Sequence, residues 1–375
     1  MRFSPEDEEF RARVRDWLTA NVSPDLHGAG GPGREHESFE ERLAWNRRLA
    51  AAGWTCLSWP ESVGGRGMTI PRQVIFHEEY ARAQAPARVA VVGEELAGPM
   101  IATFGTEEQK RRFLPPIRNV TELWCQGFSE PGAGSDLASV STSARLEDGE
   151  WVVTGQKIWT SLAHVADWCF VLARTTPGSK RSAGLSMLLV PMRQPGVTVR
   201  PITQLTGTSE FNEVFFDGAR TDAENIVGSL DDGWRVARGT LAIERGVAML
   251  GQQVAFRREL EALSAQAPSG DPLIQDDLAR ARAGLEAIRA YALDTLGEGA
   301  SETAPSVLKV LWSRWHRDLG ELAMRIRGPR TMLAPGGYDQ WQRMYLFSRA
   351  DTIYGGSDEI QHGIIAQRAL GLPRP

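Results

Sequence analysis

The sequence predicts an α+β chain of three regions, helical, then strand-rich, then helical. Three observations carry this expectation. In the first third, apolar residues recur at helical spacing between glycine and proline turns. From about Leu123, short runs rich in β-branched and aromatic residues follow one another with no helix between them, as in a small antiparallel barrel or sandwich. From Asp231 the helical spacing returns and continues nearly to the end. The three regions are assigned as residues 1–121, 122–229 and 230–375.

The first helix is announced by Ser4-Pro5 followed by Glu6 and Asp7: an N-cap, a proline at the first helical position, and acids facing the helix dipole. Phe10, Val14, Trp17 and Leu18 then share one face. A second helix is expected over Phe39 to Ala52, with Gly53 as its stop. Thr106-Glu107-Glu108-Gln109 has capping-box spacing ahead of Phe113, and Pro115-Pro116 is expected to end that segment. Expected strands are Glu150 to Ser161, Trp168 to Arg174, Leu185 to Pro191, Val197 to Ile202 and Phe211 to Phe216. Turn signals such as Asp148-Gly149 and Pro195-Gly196 separate them. The last region should break at Pro268-Ser269-Gly270, Gly328-Pro329 and Pro335-Gly336-Gly337.

At 375 residues, 42% hydrophobic and 24% charged, the chain can bury a substantial core as two or three domains or one multi-layer body. The net charge of −5 lacks the basic bias of a nucleic-acid binder. Cys56, Cys125 and Cys169 are scattered without CxxC spacing, so neither a disulfide framework nor a zinc site is implied. The acidic start MRFSPEDEEF has no apolar core of a signal peptide, and no run approaches the ~20 apolar residues of a membrane span. The expectation is a soluble, cytoplasmic protein.

Four stretches bear on chemistry. In DDGWRVARGTLAIERGVAMLGQQVAF, Trp234, Ala237, Leu241, Glu244, Ala248, Gly251 and Ala255 follow helical steps, which makes Glu244 the only ionisable residue on an apolar stripe. Alanine and glycine leave room beside it, and its neighbours Thr240, Leu241, Val247 and Ala248 offer no cation. A carboxylate so placed suits a general base through desolvation; the competing reading is a stripe-edge glutamate paired with an arginine from another helix. SEPGAGSD, Ser129 to Asp136, is a tight glycine turn that lets backbone approach a ligand, though taken alone it reads as a surface turn. In GQKIWTS, Gly155 to Ser161, Trp159 and Ser161 alternate onto one strand face, where an indole and a hydroxyl could meet a flat cofactor or simply fill a barrel. Finally, IYGGSDEIQ, Ile353 to Gln361, is a double-glycine turn into a helix capped by Ser357, with Asp358 and Glu359 in its first turn.

Together and in this order, SEPGAGSD, GQKIWTS and IYGGSDEIQ resemble the acyl-CoA dehydrogenase family over essentially the whole chain. The resemblance implies an N-terminal helical domain, a central β domain and a C-terminal four-helix bundle, with FAD between the last two. It implies that Gln126, Phe128, Ser129 and Ser135 contact flavin or the thioester ligand, that Trp159 flanks the isoalloxazine, and that Ser161 hydrogen-bonds near N5. Ser357 and Glu359 match positions that touch FAD. In much of the family a loop glutamate is the base, and here that position is Gly355, which has no side chain but keeps an N–H. Isovaleryl-CoA dehydrogenase-like members carry the base on a bundle helix before an arginine, and Ile243-Glu244-Arg245 matches that motif.

The implied reaction is α,β-dehydrogenation of an acyl thioester, on CoA or on a carrier protein. Glu244 would take the α-proton, flavin N5 the β-hydride, and Arg245 would help place the ligand. Electron transfer flavoprotein is the implied acceptor, in a metabolism of lipid type. Two family features differ. The Arg-x-x-Phe-Gly segment is not recognisable in FRRELEALSAQAPSGDPL, and the Gln-x-x-Gly-Gly-x-Gly turn is replaced by Arg325 to Arg330. The implied assembly is a homo-dimer or tetramer, or a mixed tetramer in which a homologous subunit completes the flavin site. A flavin monooxygenase on the same fold, needing no α-proton base, is the alternative enzyme, and an FAD-holding subunit without turnover the third class.

Overall fold

The computed structural model describes residues 3–243, 248–296, 301 and 303–373. In chain order the first region forms α1 (Pro5–Asn21), α2 (Phe39–Ala51), α3 (Ile70–Arg82), α4 (Gly98–Phe104) and α5 (Glu107–Arg118). The middle region forms β1 (Trp124–Gly127), β2 (Ser143–Glu147), β3 (Glu150–Ser161), β4 (Trp168–Arg174), β5 (Leu185–Pro191), β6 (Val197–Ile202), β7 (Phe211–Asp222) and β8 (Ile226–Val227). The last forms α6 (Gly233–Ile243), α7 (Ala248–Ser264), α8 (Pro272–Asp294), α9 (Ala304–Arg327), α10 (Gln340–Asp351) and α11 (Asp358–Ile364).

These elements gather into two compact units. One, the helical unit, comprises Met1–His27, Ile70–Ala85 and Gly246–Pro375; the other, the sheet unit, comprises Gly28–Thr69 and Pro86–Arg245.

In the sheet unit the strands run β6-β7-β3-β2-β4-β5-β8, with β1 beside β4. Most neighbours are antiparallel, while β1 is parallel to β4 and puts Gln126 opposite Phe170. Strand burial alternates along β7, whereas β4 and β5 are buried on both faces. One core is made by Cys125, Val153, Val171, Leu188, Val190 and Val214 of the strands. The other lies where Met100, Phe113 and Ile117 of α4 and α5 and Val236 of α6 meet Phe170, Leu172 and Met187. Burial of side chains this size at roughly 1.5–3 kcal/mol each is what holds helices to the sheet. Gly233 begins α6 where a Cβ would stand 2.5 Å from the Ser186 carbonyl carbon, so glycine allows that close approach.

The helical unit packs Val74 of α3 with Phe256, Leu260, Leu285, Ile288, Trp312, Leu319 and Trp341 from α7 to α10. Its buried carboxylates are paired. Glu78 and Glu79 of α3 meet Arg11 and Arg15 of α1, Arg82, and Arg289 of α8.

The caps form as expected. Ser4 and Asp7, and Thr106 and Gln109, each close a capping box. Pro115-Pro116 do not end α5, which continues to Arg118. Each proline forgoes one N–H bond to the carbonyl four residues back, and burial of Leu114 and Ile117 in the core keeps that last turn helical. A further break not expected from the sequence separates α8 from α9. Strands β1, β2 and β8 also escaped the pattern, being four, five and two residues long. Among the described residues no helix is long and apolar enough to cross a membrane, and no His/Cys/Asp/Glu group is placed to hold a metal.

Candidate active site

The sheet unit carries the first set of expected site residues. Gln126 lies on β1, half-buried, and its side-chain Nε2 is enclosed with no hydrogen-bond acceptor among the described residues. An enclosed amide N–H without a partner costs about 1–3 kcal/mol unless something accepts from it. Phe128 is buried edge-on against Phe170 at 5.6 Å. Ser129 is half-buried, and its carbonyl accepts from the Ile158 N–H at 2.9 Å. Beyond it, Glu130 and Ala133 exchange two backbone hydrogen bonds of 3.0 Å, which closes the glycine turn. Among the described residues a Cβ at Gly132 or Gly134 would meet nothing within 4 Å, and Ser135 is exposed. The loop is therefore open on its outer side.

Strand β3 holds Trp159 and Ser161. Its pairing with β7 passes from Lys157↔Val214 to Thr160↔Asn212, one extra residue on β3 and hence a bulge. Trp159 has φ +61°, in the left-handed region, and the residue is 55% exposed, with an edge contact to Phe211 at 6.2 Å. Bulges re-aim side chains next to functional sites. Ser161, half-buried, stands on the same side, while Thr160 between them points inward and is fully buried. The Thr160 hydroxyl has no hydrogen-bond partner among the described residues. An exposed indole on β3 and an enclosed amide donor on β1 are the kinds of group that a flat, polar-edged ring takes, so the chemistry of these residues fits FAD.

Under this wall lies a buried ion pair that the sequence reading did not single out. Lys157 is completely buried, and Nζ donates to the carbonyls of Phe128 at 3.0 Å and Leu172 at 2.7 Å and to Glu130 Oε1 at 2.9 Å. Glu130 also accepts from the N–H and hydroxyl of Ser141 and the N–H of Thr142. Burial alone would push the Glu130 carboxyl up, but Lys157 and the Thr142 and Ser141 donors bring it down to about 2. The available signal was a lysine at an inward-facing position of β3.

The helical unit carries the second set. Gly355 and Gly356 have φ of +64° and +89°, and Gln361 Nε2 donates to the Gly355 carbonyl at 3.0 Å, fixing the turn. The Ser357 hydroxyl caps α11 by accepting from the Ile360 N–H. Asp358 is buried and paired with Arg314 at 2.7 Å. Glu359 is exposed; a backbone N–H and the Ser357 hydroxyl hold its carboxyl below the usual range. The turn packs over Lys309, whose Cε would lie 3.5 Å from a Cβ at Gly355. Lys309 donates to the Asp351 carbonyl and sits over the rings of Trp312 and Tyr354. The Arg325 and Arg327 side chains are engaged with Asp277 and Asp339. Glu244 and Arg245 lie outside the described residues.

Three family models match successive parts of the chain: acyl-CoA dehydrogenase N-terminal domain at 4–120, middle domain at 125–219 and C-terminal domain at 231–370. Acyl-CoA dehydrogenase IpdE1 of Mycobacterium tuberculosis is 62% identical over 378 residues, covering 98% of both chains. IpdE1 of Mycolicibacterium smegmatis is 58% identical with the same coverage. Among solved structures, the Tcur3481-Tcur3483 steroid ACAD aligns with TM-score 0.87 at 28% identity over 100% of this chain and 99% of that one. The ChsE4-ChsE5 complex from Mycobacterium tuberculosis aligns with TM-score 0.86 at 29% identity and the same coverage. The chain thus belongs to the acyl-CoA dehydrogenase family, oxidoreductases that depend on FAD.

Proposed function

We propose that this enzyme introduces an α,β double bond into a bulky, ring-bearing acyl-CoA, with Glu244 as the base. The observation that carries the base assignment is the state of the glycine loop. Gly355 has no side chain, Asp358 is tied to Arg314, and Glu359 points to solvent, so no carboxylate of that loop is available to take a proton. Glu244 is the candidate, from its place on the apolar stripe of the sequence and from the Ile243-Glu244-Arg245 match to the bundle-helix base of the family.

When bound, FAD supplies the acceptor for the hydride from the β-carbon. Gln126, Phe128, Ser129, Trp159, Ser161, Ser357 and Glu359 are the residues that would hold it. Glu244 removes the proton α to the thioester carbonyl. Such a proton is too weakly acidic for a carboxylate unless donors stabilise the developing enolate, and the Gly355 N–H is one such donor. Ser135 and Arg245 would position the CoA portion. Absence of a side chain at Gly355 and the small residues around Glu244 favour a wide acyl group. The naming of one structural relative as a steroid ACAD supports a polycyclic one. Electrons would leave to electron transfer flavoprotein.

The test is anaerobic flavin bleaching by a panel of acyl-CoA thioesters. Glu244→Gln should slow bleaching by on the order of 10²–10⁴ while FAD stays bound, and a near-wild-type rate in that variant removes the base assignment. A second reading concerns assembly. Two of the structural relatives are complexes of paired, differently named chains, which supports a mixed oligomer with a homologous subunit. Flavin retained only on co-expression with such a subunit is the expected sign; full FAD occupancy and turnover by this chain alone would exclude it.

A further inference from the structure

We propose that the buried pair Lys157–Glu130 is a positioning device that sets the flavin-facing wall in place before FAD arrives. The inference rests on the flavin reading of that wall and goes on to assign residues that touch no part of the cofactor.

Three separate backbone segments converge on one ammonium. Phe128 belongs to the stretch leading from β1 into the glycine turn, Leu172 to β4, and Lys157 itself to β3, two residues before Trp159. Three acceptors surround Nζ at 2.7–3.0 Å, and only the charged –NH3⁺ form has three N–H groups to give them. Glu130 extends the tie. Its two oxygens take the Ser141 N–H at 2.7 Å and the Thr142 N–H at 2.9 Å, which anchors the far side of the glycine turn to the same charge. A direct bond from Ile158 N–H to the Ser129 carbonyl completes the frame.

A neutral hydrogen bond would link two of these segments; a charge with three donors fixes the relative position of all of them. Gln126, Phe128 and Ser129 lie on one side of the frame, and Trp159 and Ser161 on the other. Buried ion pairs of this kind give little net stability against well-packed apolar groups, so placing the wall is the better account of its presence. The neighbouring strand geometry leaves no slack, because Gly127 has Cys169 Sγ 2.9 Å and Lys157 Cγ 3.5 Å from where a Cβ would stand.

The experiment is an FAD titration of apo-protein, read by flavin fluorescence and by the visible circular dichroism of bound flavin. Lys157→Met alone strands a buried carboxylate and is destabilising. The informative variant is Lys157→Met with Glu130→Gln, which removes both charges yet leaves one amide oxygen to accept from the two Ser141 donors, at the loss of the Thr142 acceptor. Its FAD dissociation constant should rise about tenfold or more with an altered flavin dichroism, while its far-ultraviolet spectrum stays that of the wild type. Glu130→Gln alone keeps the tie to Phe128 and should lose less. Wild-type FAD affinity and dichroism in the folded double variant would overturn the proposal.

A measurement on the unsubstituted protein stands beside it. The Ile158 and Thr142 amides should be protected from hydrogen exchange in the apo form as strongly as in the holo form. Protection acquired only on FAD binding would show that the cofactor orders the wall and would overturn the pair's role. Neither readout uses a thioester, so a failure of the dehydrogenation proposal would leave both interpretable.

Discussion

Raising the pH from 6 to 10 should weaken the helical unit through one side chain, His316. The imidazole of α9 is buried between two carboxylates: Nδ1 lies 2.5 Å from Asp351 Oδ2 of α10 and Nε2 lies 3.2 Å from Glu259 Oε2 of α7. Phe256 stacks on the ring at 4.4 Å, and Tyr354 donates to the other Asp351 oxygen at 2.7 Å. Lys309 is the nearby cation, bound to the Asp351 backbone carbonyl. Burial favours the neutral ring, yet the hydrogen bonds and charges of Asp351 and Glu259 outweigh it and raise the pKa from 6.5 to about 9. That difference corresponds to roughly 3 kcal/mol favouring the folded, protonated state. Because the folded pKa is the higher one, this stability is fully present below pH 6.5 and is lost as pH rises through about 9.

The assay compares denaturant unfolding of wild type and His316→Gln across that range, so that other alkaline titrations cancel in the difference. Selective ¹³C labelling of histidine gives the midpoint directly, with the variant identifying the resonance. The gap between the two proteins should shrink from pH 6.5 toward pH 10. A gap that is flat or grows over this interval, or a His316 midpoint at or below 6.5, refutes the electrostatic account.

Two local substitutions probe close backbone approaches. Gly233→Ala would push a Cβ to 2.5–2.6 Å from Ser186 backbone atoms, which cannot swing aside, so α6 must shift. The expected loss is about 1–3 kcal/mol in an unfolding titration, and an unchanged midpoint would show that α6 does not approach β5 so closely. Gly355→Ala meets only Lys309 Cε at 3.5 Å, so its cost is that of the left-handed backbone, φ +64°. About 1–2 kcal/mol is expected for alanine and less for Gly355→Asn, which tolerates that conformation better; equal effects of the two would point to a steric origin instead.

Helices with strong punctuation were legible in the amino-acid sequence. Ser4-Pro5 and Thr106 to Gln109 define their caps through interactions within one turn, and both capping boxes form. Strands β3, β4, β5 and β6 were legible too, starting and stopping at the residues that composition and turn signals indicate, whereas β7 runs past the expected Phe216 to Asp222. The motif order also named the family, because SEPGAGSD, GQKIWTS and IYGGSDEIQ are contiguous stretches whose spelling survives without knowledge of their neighbours. Tertiary structure alone decided the rest. Pro115-Pro116 stay inside α5 because Ile117 has a core to enter. Trp159 is turned outward by a bulge that exists only against β7. Lys157 finds Glu130, and His316 finds Glu259 and Asp351, across separations of 27, 57 and 35 residues. Periodicity reports which way a residue faces on its own element, whereas the partner of a buried charge is set by how distant elements pack, and that energy appears only once water has been excluded between them.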